Sequence, residues 1–508
     1  MSMGHESRTA LSVQTWTSAS ALLFGVTGIS KVLGFVRELL LASYFGAGRE
    51  IDAYAVAYAI PLFLAGGIGY AFSTAIIPGY HSMVAEHGKQ AGLHYLSTSC
   101  VSSVAWSFIL LSPVWGAPEY LVKFAAPSMS AATIRLTVEL MGWLSIYVLI
   151  QNCVYVLSAV FHAFNHFRLP AVSDLLFNVV VIGVLMALAS NVGVHALVIG
   201  NLGGIFICLL VLMGIILRTH GAHFGALSFT GLVHPILACL PVALYYVASQ
   251  FPGLLANYFA SGLGEGSIAA FSYARTIVAG LISLITVSVA RAAYPTFASL
   301  FTYGREEQFR EFVAGLARLI LYGFLPLSVL CWVYQKPLLR LLYQRGAFDE
   351  AALTLTATAF GFLAIGLTFG AWEPVGTRAL YAAGDARSPL LATILSACLV
   401  VPLCLMLTPA LGLAGVALSL ALAFAVDSAM QVISLGWRLN SPIWKDLAWF
   451  SMKCATCALF ATTSFLVMPV DHGWQATGGG VLYICSYGLL TWWLVRPVRS
   501  MWNVAIVR

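Results

Sequence analysis

Charged side chains are scarce in this chain of 508 residues: Asp, Glu, Lys and Arg make up 9% of it, whereas a soluble globular protein carries about 25%. Hydrophobic residues make up 60%, and the mean hydropathy is +0.91. A water-soluble fold of this size could not cover so much apolar surface. The composition therefore excludes soluble enzymes, nucleic-acid binders and disordered scaffolds, and it indicates a membrane protein.

Motifs of catalysis and of nucleotide binding are also absent. The sequence contains no HExxH, no P-loop and no GxSxG in the context of a triad, and its histidines lack the spacing of metal ligands. A membrane-bound glycan polymerase or ligase is disfavoured because no long outer loop is present to hold catalytic residues. We therefore expect a transporter rather than an enzyme, with no cofactor, no metal site and no ATP. Its energy should come from the membrane potential or an ion gradient.

Apolar stretches long enough to cross a bilayer recur along the whole chain. A spanning helix needs ~20 apolar residues. We count fourteen such stretches, among them the first at 18–45, the eighth at 267–300 and the tenth at 350–383. Their continuous apolar character predicts helices rather than the alternating strands of a membrane barrel. If both termini are cytoplasmic, the loops and ends on that side hold twelve Lys and Arg residues against six outside, which is the usual bias.

The two halves of the chain resemble each other. Arg168 and Pro170 recur as Arg387 and Pro389, 219 positions later. Six predicted spans separate these points, and because six is even the two copies have the same orientation. We therefore predict an all-α polytopic membrane protein with two parallel-repeat six-helix lobes around a central cavity, followed by two C-terminal helices.

The predicted organisation has five parts. They are a cytoplasmic N-terminal segment (1–17), an N-lobe with spans one to six (18–217), a C-lobe with spans seven to twelve (218–435), the last two spans (446–495) and a cytoplasmic tail (496–508). Twin lobes suit alternating access, in which the lobes rock around the cavity. We expect a monomer.

Several cations fall inside predicted spans, where each costs at least a few kcal/mol and should face a wet cavity or a partner. Lys31 and Arg37 lie in the first span, Arg275 in the eighth and Arg378 in the tenth. Net positive charge in a membrane cavity suits an anionic headgroup, and the planar guanidinium suits a phosphate. We therefore predict that these four cations bind the substrate.

Acids and helix-breaking residues complete the candidate site. The predicted cavity or gating acids are Glu38, Asp52 and Glu373, and the predicted hinges are Pro61, Gly66, Gly67 and Pro374. Broken helices re-satisfy their backbone only against protein or a water-filled cavity. Two alternatives stay open: the acids could pair with the cations and merely hold the lobes together, and the glycines could serve close helix packing.

Four sequence runs resemble one family of transporters. They are SKVLGFVRE at 30–38, YFGAG at 44–48, AFSTAIIP at 71–78 and YQRGAFD at 343–349. These runs are similar to the MurJ/MviN family of the multidrug/oligosaccharidyl-lipid/polysaccharide (MOP) exporter superfamily. The resemblance implies a flippase in the bacterial inner membrane. Its substrate would be an undecaprenyl-diphosphate-linked saccharide, lipid II or a related envelope glycan intermediate, moved from the inner to the outer leaflet.

The resemblance also implies cavity roles for Lys31, Arg37, Glu38 and Arg275, which match family positions in the first and eighth spans. The second span departs from the family: an Arg-Arg…Glu-Gly-Ala-Phe-Ser box stands here as LAGGIGYAFS at 64–73, without the arginines and the glutamate. An exopolysaccharide unit therefore competes with lipid II as substrate. Some members have a sodium site formed by acids in the seventh and eleventh spans. Those two spans contain no acid in this chain. A cation-coupled multidrug exporter of the same superfamily is the alternative function, although the basic cavity disfavours it.

Overall fold

A computed structural model describes residues 25–494 apart from 27, 165, 167, 221–228, 440–442 and 464–472. This part of the chain forms helices joined by turns and contains no strand, which confirms the predicted all-α class. The predicted segments 1–17 and 496–508 lie outside it. Backbone contacts divide the chain into unit 1, up to Gln250, and unit 2, from Phe251. The lobe boundary at 217/218 stays a prediction.

Unit 1 contains seven described helices and most of an eighth. They are α1 (28–45), α2 (Arg49–His87), α3 (Lys89–Gly116), α4 (Pro118–Ala125), α5 (Ala131–Ala163), α6 (Arg168–Val192), α7 (His195–His220) and α8 (Phe229–Ala260), whose last residues belong to unit 2. Helix α5 packs against α2, α3, α4, α6 and α7, and it is therefore the central helix of unit 1.

Asn152 on α5 is a buried polar side chain that joins three helices. Its Nδ2 atom donates to the carbonyl oxygen of Ala65 on α2 at 2.9 Å and to Oγ of Ser107 on α3 at 2.8 Å. A Cβ atom at Gly69 would lie 2.9 Å from Cα of Asn152, so the glycine lets α2 approach the α5 backbone. The amide therefore fixes the packing of α2, α3 and α5.

Replacing Asn152 by Ala should destabilise unit 1 by roughly 2 kcal/mol, because two interhelical hydrogen bonds disappear in an apolar setting. The free energy of unfolding in mixed micelles measures this loss. The matched control is Asn191→Ala, at the exposed end of α6, which should change it by less than ~0.5 kcal/mol. Equal effects of the two substitutions would contradict the assignment.

Unit 2 begins with the end of α8 and a 3₁₀ turn at Ser261–Leu263. Its helices are α9 (Ser267–Ile282), α10 (Ser288–Thr302), α11 (Glu306–Val333), α12 (Gln335–Tyr343), α13 (Glu350–Ile365), α14 (Leu367–Ala382), α15 (Arg387–Leu411), α16 (Leu413–Arg438), α17 (Ile443–Ala461) and α18 (Gly473–Leu494). A π-helical segment, Ser283–Val287, joins α9 and α10 into one stretch. Helix α16 packs against α13, α14, α15 and α17 and forms the centre of unit 2.

Nine helical stretches of the described chain are long and apolar enough to cross a membrane, or ten if α13 and α14 count as one broken span. The α13–α14 pair bends by 50°. The bend lies at Gly366, where a Cβ atom would lie 2.7 Å from Cα of Ala421 on α16. The tenth predicted span therefore breaks where another backbone approaches it, and α14 runs through Pro374 without ending.

The predicted hinge residues of the second span lie within a single long helix, since α2 continues through Pro61. A Cβ atom at Gly66 would lie 2.9 Å from the hydroxyl oxygen of Tyr246 on α8. One at Gly67 would lie 3.3 Å from the carbonyl oxygen of Ala243. These contacts favour close packing as the reason for both glycines, and a hinge role stays a prediction.

Asp385 caps the start of α15. Its Oδ1 atom accepts from the backbone N–H groups of Arg387 at 3.1 Å and Ser388 at 2.9 Å, and Oδ2 accepts from the Ser388 hydroxyl at 2.6 Å. Desolvation alone would raise the pKa of Asp385, but these hydrogen bonds and the charge of Arg438 lower it below the usual value. The ionised carboxylate is therefore the form that stabilises the cap.

Replacing Asp385 by Ala should cost about 1 kcal/mol of stability near neutral pH. Because the folded-state pKa is lowered, this contribution is present above the unfolded value of about 3.9 and is lost as the pH falls through the folded value. Unfolding measured near neutral pH and at about pH 3 should show the difference between wild type and variant shrinking at acid pH. A difference that stayed constant over this range would contradict a charged cap.

Candidate functional site

The charged residues of α1 contact α6 within unit 1. Arg37 donates from Nη2 to Oε1 of Glu38 at 3.1 Å, and the two side chains are 27% and 20% exposed. The guanidinium carbon lies 6.0 Å from the ring centroid of Phe177 on α6, within cation–π range. Lys31 is exposed, and its ammonium group interacts electrostatically with the carboxyl group of Asp174 on α6. Arg37 therefore pairs with an acid, but the pair lies within one helix and joins no two helices, so the alternative in which such pairs hold the lobes together stays a prediction.

A polar contact fixes the orientation of α1. Nδ2 of Asn178 on α6 donates to the hydroxyl of Ser30 at 3.2 Å and to its carbonyl oxygen at 3.3 Å. Gly34 lies on the same side, since a Cβ atom there would lie 3.7 Å from Oδ1 of Asn178. This contact lies about two turns before Arg37 and holds the α1 segment that positions it.

Arg37 borders tyrosines that the sequence analysis missed. Tyr54 and Tyr58 lie one turn apart on α2, and their ring centroids are 6.1 Å apart. The guanidinium of Arg37 interacts electrostatically with both phenol groups. The ring of Tyr58 lies 5.8 Å from that of Tyr147 on α5. We call Tyr54, Tyr58, Tyr147 and Tyr155 the tyrosine cluster.

Two amide side chains bind the hydroxyls of the tyrosine cluster. Asn201 on α7 donates to the Tyr54 hydroxyl at 2.7 Å. Gln151 donates from Nε2 to the hydroxyls of Tyr147 at 3.1 Å and Tyr155 at 3.3 Å. Its Oε1 atom is buried and accepts no hydrogen bond from the described residues. Phenol rings with amides between them offer apolar faces together with donors and acceptors, which suits polar ring-shaped ligands.

Arg275 lies on α9 in unit 2, against the backbone of α8. Its side chain is exposed. A Cβ atom at Gly253 would overlap Nη1 of the guanidinium and lie 3.3 Å from its carbon. The start of α9 is anchored by Tyr273, which is 1% exposed and has its ring 5.5 Å from Tyr343 and 5.9 Å from Phe348. The glycine and this aromatic anchor together define the position of Arg275.

Glu373 and Arg378 lie on α14 and are both partly buried. Glu373 accepts from the Thr377 hydroxyl at 3.3 Å, and Arg378 donates from Nη1 to the carbonyl oxygen of Pro374 at 3.0 Å. Asp52, in contrast, is 5% exposed in the first turn of α2, where a negative charge faces the positive end of the helix dipole. A helix-start role accounts for Asp52, and its gating role stays a prediction.

A cavity of about 640 Å³ lies within unit 2 between α11, α14, α16 and α17. Most of its lining is apolar and includes Ile320, Phe369, Trp372, Val432 and Ile433. The hydroxyls in the wall bond within the protein: Ser428 donates to the carbonyl oxygen of Phe369 at 2.7 Å. A cavity of this character suits hydrocarbon rather than a diphosphate.

The predicted site residues fall into two sets, one in each unit. The set in unit 1 contains Lys31, Arg37, Glu38, Asp52, Pro61, Gly66 and Gly67. The set in unit 2 contains Arg275, Glu373, Pro374 and Arg378. Within these sets the structure joins Arg37 to Glu38 directly.

Long apolar helices that carry charged residues define a polytopic membrane protein, and its fold is similar to those of two solved transporters. A lipid II flippase MurJ in an inward closed conformation matches with a TM-score of 0.79 at 21% identity, over 94% of this chain and 99% of that one. An inward-facing multidrug resistance MATE family transporter of the MOP superfamily matches with a TM-score of 0.68 at 15% identity, over 82% of this chain and 96% of that one.

The family model described as "Lipid II flippase MurJ" matches residues 41–487. The chain therefore belongs to the MurJ family, which confirms the resemblance seen in its sequence. The probable lipid II flippase MurJ of Rhizobium tropici is 25% identical over 490 residues, covering 92% of this chain and 89% of the relative. The lipid II flippase MurJ of Burkholderia cenocepacia is 27% identical over 449 residues, covering 83% and 84%.

Proposed function

We propose that the chain is a flippase that moves an undecaprenyl-diphosphate-linked saccharide from the inner to the outer leaflet of the bacterial inner membrane by alternating access. Its family and the names of its relatives support a lipid-linked substrate. The observation that carries the proposal is the position of Arg37, a span cation that contacts Glu38 and Phe177 and borders the tyrosine cluster. A cation in that setting suits an anionic headgroup.

In this mechanism no covalent bond changes. Arg37 exchanges its contact with Glu38 for phosphate oxygens, and the fork of the guanidinium makes charge-assisted hydrogen bonds to the diphosphate. The tyrosine cluster offers ring faces and hydroxyls to the sugars beside it. The apolar cavity of unit 2 suits a stretch of the polyprenyl chain. Lys31, Arg275 and Arg378 supply further positive charge during the cycle.

The proposed architecture has fourteen spans, with both termini in the cytoplasm. Two six-helix lobes surround a central cavity and rock during transport, and two C-terminal helices follow them. The MurJ-like fold and the nine or ten membrane-length stretches of the described chain support this arrangement. The protein acts as a monomer, and the membrane potential assists the passage of a charged headgroup at ~2.3 kcal/mol per charge per 100 mV.

The second span bears on which saccharide is carried. Leu64, Ala65 and Gly69 stand where the lipid II flippase box carries charge, and Gly69 is closely packed against Asn152 of α5. A long charged side chain at Gly69 would displace α5. This chain therefore contacts its headgroup with fewer cations than the box would provide, and an exopolysaccharide unit stays open beside lipid II.

Complementation of a strain depleted of its lipid II flippase tests the function. Rescue by the wild type, and its loss in the Arg37→Ala/Arg275→Ala double variant at equal expression, would support lipid II as substrate. Failure to rescue, together with loss of a surface polysaccharide when the gene is deleted from its own host, would support another envelope glycan. The gene could instead neither rescue the depleted strain nor affect a surface polysaccharide, and confer resistance to cationic drugs. That outcome would overturn the flippase assignment in favour of a multidrug exporter.

A further inference from the structure

The tyrosine cluster of unit 1 continues to two further tyrosines. The ring of Tyr70 on α2 lies 5.6 Å from the ring of Tyr246 on α8. Tyr246 interacts electrostatically with Tyr58, and Tyr155 interacts with both of these residues. We call the tyrosine cluster together with Tyr70 and Tyr246 the tyrosine wall. Six phenol groups from α2, α5 and α8 therefore lie next to one another in unit 1.

Two glycines of α2 fix the position of Tyr246. A Cβ atom at Gly66 would lie 2.9 Å from the hydroxyl oxygen of Tyr246, and one at Gly67 would lie 3.2 Å from its ring carbon Cδ1. The bare backbone at these two positions leaves room for the phenol ring, as small residues do where helices pack closely. The close packing of α2 and α8 therefore holds Tyr246 beside Tyr70.

Two rings of the tyrosine wall are accessible, and a polar atom beside them lacks a partner. Tyr70 is 42% exposed and Tyr155 is 39% exposed. Gln151 donates to the hydroxyls of Tyr147 and Tyr155, but its buried Oε1 atom accepts no hydrogen bond from the described residues. A surface of this kind is costly against hydrocarbon. It suits a ligand that brings O–H or N–H donors.

The helices that carry the tyrosine wall have no charged side chain along it. No Asp, Glu, Lys or Arg occurs in α2 between Asp52 and Glu86, in α5 after Glu139, or anywhere in α8. An ionised carboxylate of a ligand would lose its water there without gaining a cation, which is costly within a membrane. Uncharged hydroxyl and acetamido groups avoid this cost, because phenol hydroxyls and an amide can form hydrogen bonds with them.

Two acid–cation pairs border the tyrosine wall. Glu38 bonds to Arg37 at 3.1 Å. Asp174 interacts electrostatically with Tyr155 of the wall and with Lys31. Each pair is neutral when both members are ionised, so the border favours neither an anionic nor a cationic ligand. When Arg37 bonds to phosphate oxygens, Glu38 is left to repel any further anion.

We propose that the tyrosine wall binds the saccharide of the transported headgroup and selects saccharides without ionised groups over those that carry a peptide or an acidic sugar. The inference rests on the proposed flippase function, whose substrate class it names. The C–H faces of a sugar pack on the rings of Tyr155 and Tyr70, and a hydroxyl or acetamido group donates to Oε1 of Gln151. Arg37 borders the wall, so a diphosphate held there lies next to the sugar that it carries. A neutral envelope glycan therefore fits unit 1 better than the peptide-bearing headgroup of lipid II.

Binding is measured by native mass spectrometry of the purified full-length protein with three synthetic lipids. They are undecaprenyl diphosphate without a sugar, the same lipid with a neutral N-acetylated disaccharide, and that disaccharide lipid with a peptide bearing free carboxylates. The neutral disaccharide should strengthen binding about tenfold over the sugar-free lipid, and the peptide should cancel most of this gain. Equal binding of the first two lipids would overturn the saccharide site. Binding of the peptide-bearing lipid as tight as that of the neutral one, or tighter, would overturn the selection.

Substitutions in the wall should weaken the binding of the sugar and not that of the diphosphate. Tyr155→Ala should lower the affinity for the neutral disaccharide lipid by about two- to tenfold and leave that for the sugar-free lipid unchanged. Tyr155→Phe keeps the ring face and should retain most of the affinity. Gln151→Leu removes the buried acceptor and should reduce the gain from the sugar several-fold. An equal loss for the sugar-free lipid in Tyr155→Ala would overturn the assignment.

Tyr120→Ala is the matched control, because this tyrosine lies on α4 outside the wall and is 79% exposed. It should bind all three lipids like the wild type, and a sugar-specific loss equal to that of Tyr155→Ala would overturn the assignment. Tyr70→Ala, on another helix of the wall, should also lose affinity for the sugar alone. It covers the case in which Tyr155→Ala does not fold, as judged by size-exclusion chromatography.

Flipping of fluorescent forms of the same three lipids in proteoliposomes separates this inference from the proposed function. At low substrate concentration the wild type should flip the neutral disaccharide lipid several-fold faster than the peptide-bearing lipid. Equal rates for the two would overturn the selection and leave the flippase function standing. Sugar-dependent binding without flipping of any of the three lipids would instead contradict the proposed function and leave the saccharide site standing.

Discussion

Arg37→Ala is expected to slow the flipping of a polyprenyl-diphosphate saccharide by about 10- to 100-fold at low substrate concentration. A hydrogen bond to a charged group contributes roughly 1.5–3 kcal/mol, and each 1.4 kcal/mol corresponds to a factor of about ten. The substitution also leaves the Glu38 carboxylate without the guanidinium that lies 3.1 Å away. That carboxylate would then repel the diphosphate, so the loss should lie towards the upper end of the range. Initial flipping rates in proteoliposomes measure the effect.

Three companion variants identify the cause of the loss. Arg37→Lys keeps the charge without the planar fork and should retain more activity than Arg37→Ala. Arg37→Ala/Glu38→Ala removes both charges, and recovery of the wild-type rate would show that Glu38 repulsion, rather than loss of the phosphate contact, caused the defect. Arg135→Ala is the control, because this arginine is exposed near the start of α5 and should be silent. Wild-type flipping by Arg37→Ala would contradict the site.

Gly253→Ala is expected to impair flipping about as strongly as Arg275→Ala, tenfold or more. The added methyl group would occupy the place of Nη1 of Arg275. Because the obstacle belongs to the α8 backbone, it cannot rotate away, and the guanidinium has to move instead. A methyl group on one helix should therefore remove the function of a cation on the next. Single-variant flipping rates and protein yield are the measurements.

A double-variant cycle tests whether the two positions act together. If Gly253→Ala works by displacing Arg275, then Gly253→Ala/Arg275→Ala should be no slower than Arg275→Ala. The control is Gly280→Ala on α9, where a Cβ atom would meet nothing within 4 Å. Multiplied losses in the double variant, or a defect in Gly280→Ala of the same size, would point to general damage of unit 2.

Hydropathy predicts the helical class well, because the composition of each span alone decides whether it is stable in lipid. Helix breaks depend on more than local sequence. Pro61 interrupts no helix, since α2 continues through it, whereas the tenth span bends at Gly366 where Ala421 of α16 approaches. Gly366 permits this approach, but the approach of a second helix is a tertiary event that residues 350–383 alone do not reveal. Proline position was therefore a poor guide to the break.

The charged residues of the candidate site could be predicted from the sequence. Arg37 and Arg275 stand out because a cation inside a span is rare. The spacing of Tyr54 and Tyr58 by four residues was visible as one helix face, but their contact with Tyr147 depends on the packing of α2 against α5.

The π-helical segment Ser283–Val287 lies between Arg275 and Arg291 in one span. It changes the angle between these two side chains around the helix axis. On an uninterrupted α-helix these arginines, sixteen positions apart, would point about 160° away from each other. The wider π turn delays the rotation by roughly one residue and reduces the angle to about 60–70°. A single inserted position thus turns two opposed arginines towards the same side of the helix, about 24 Å apart along its axis.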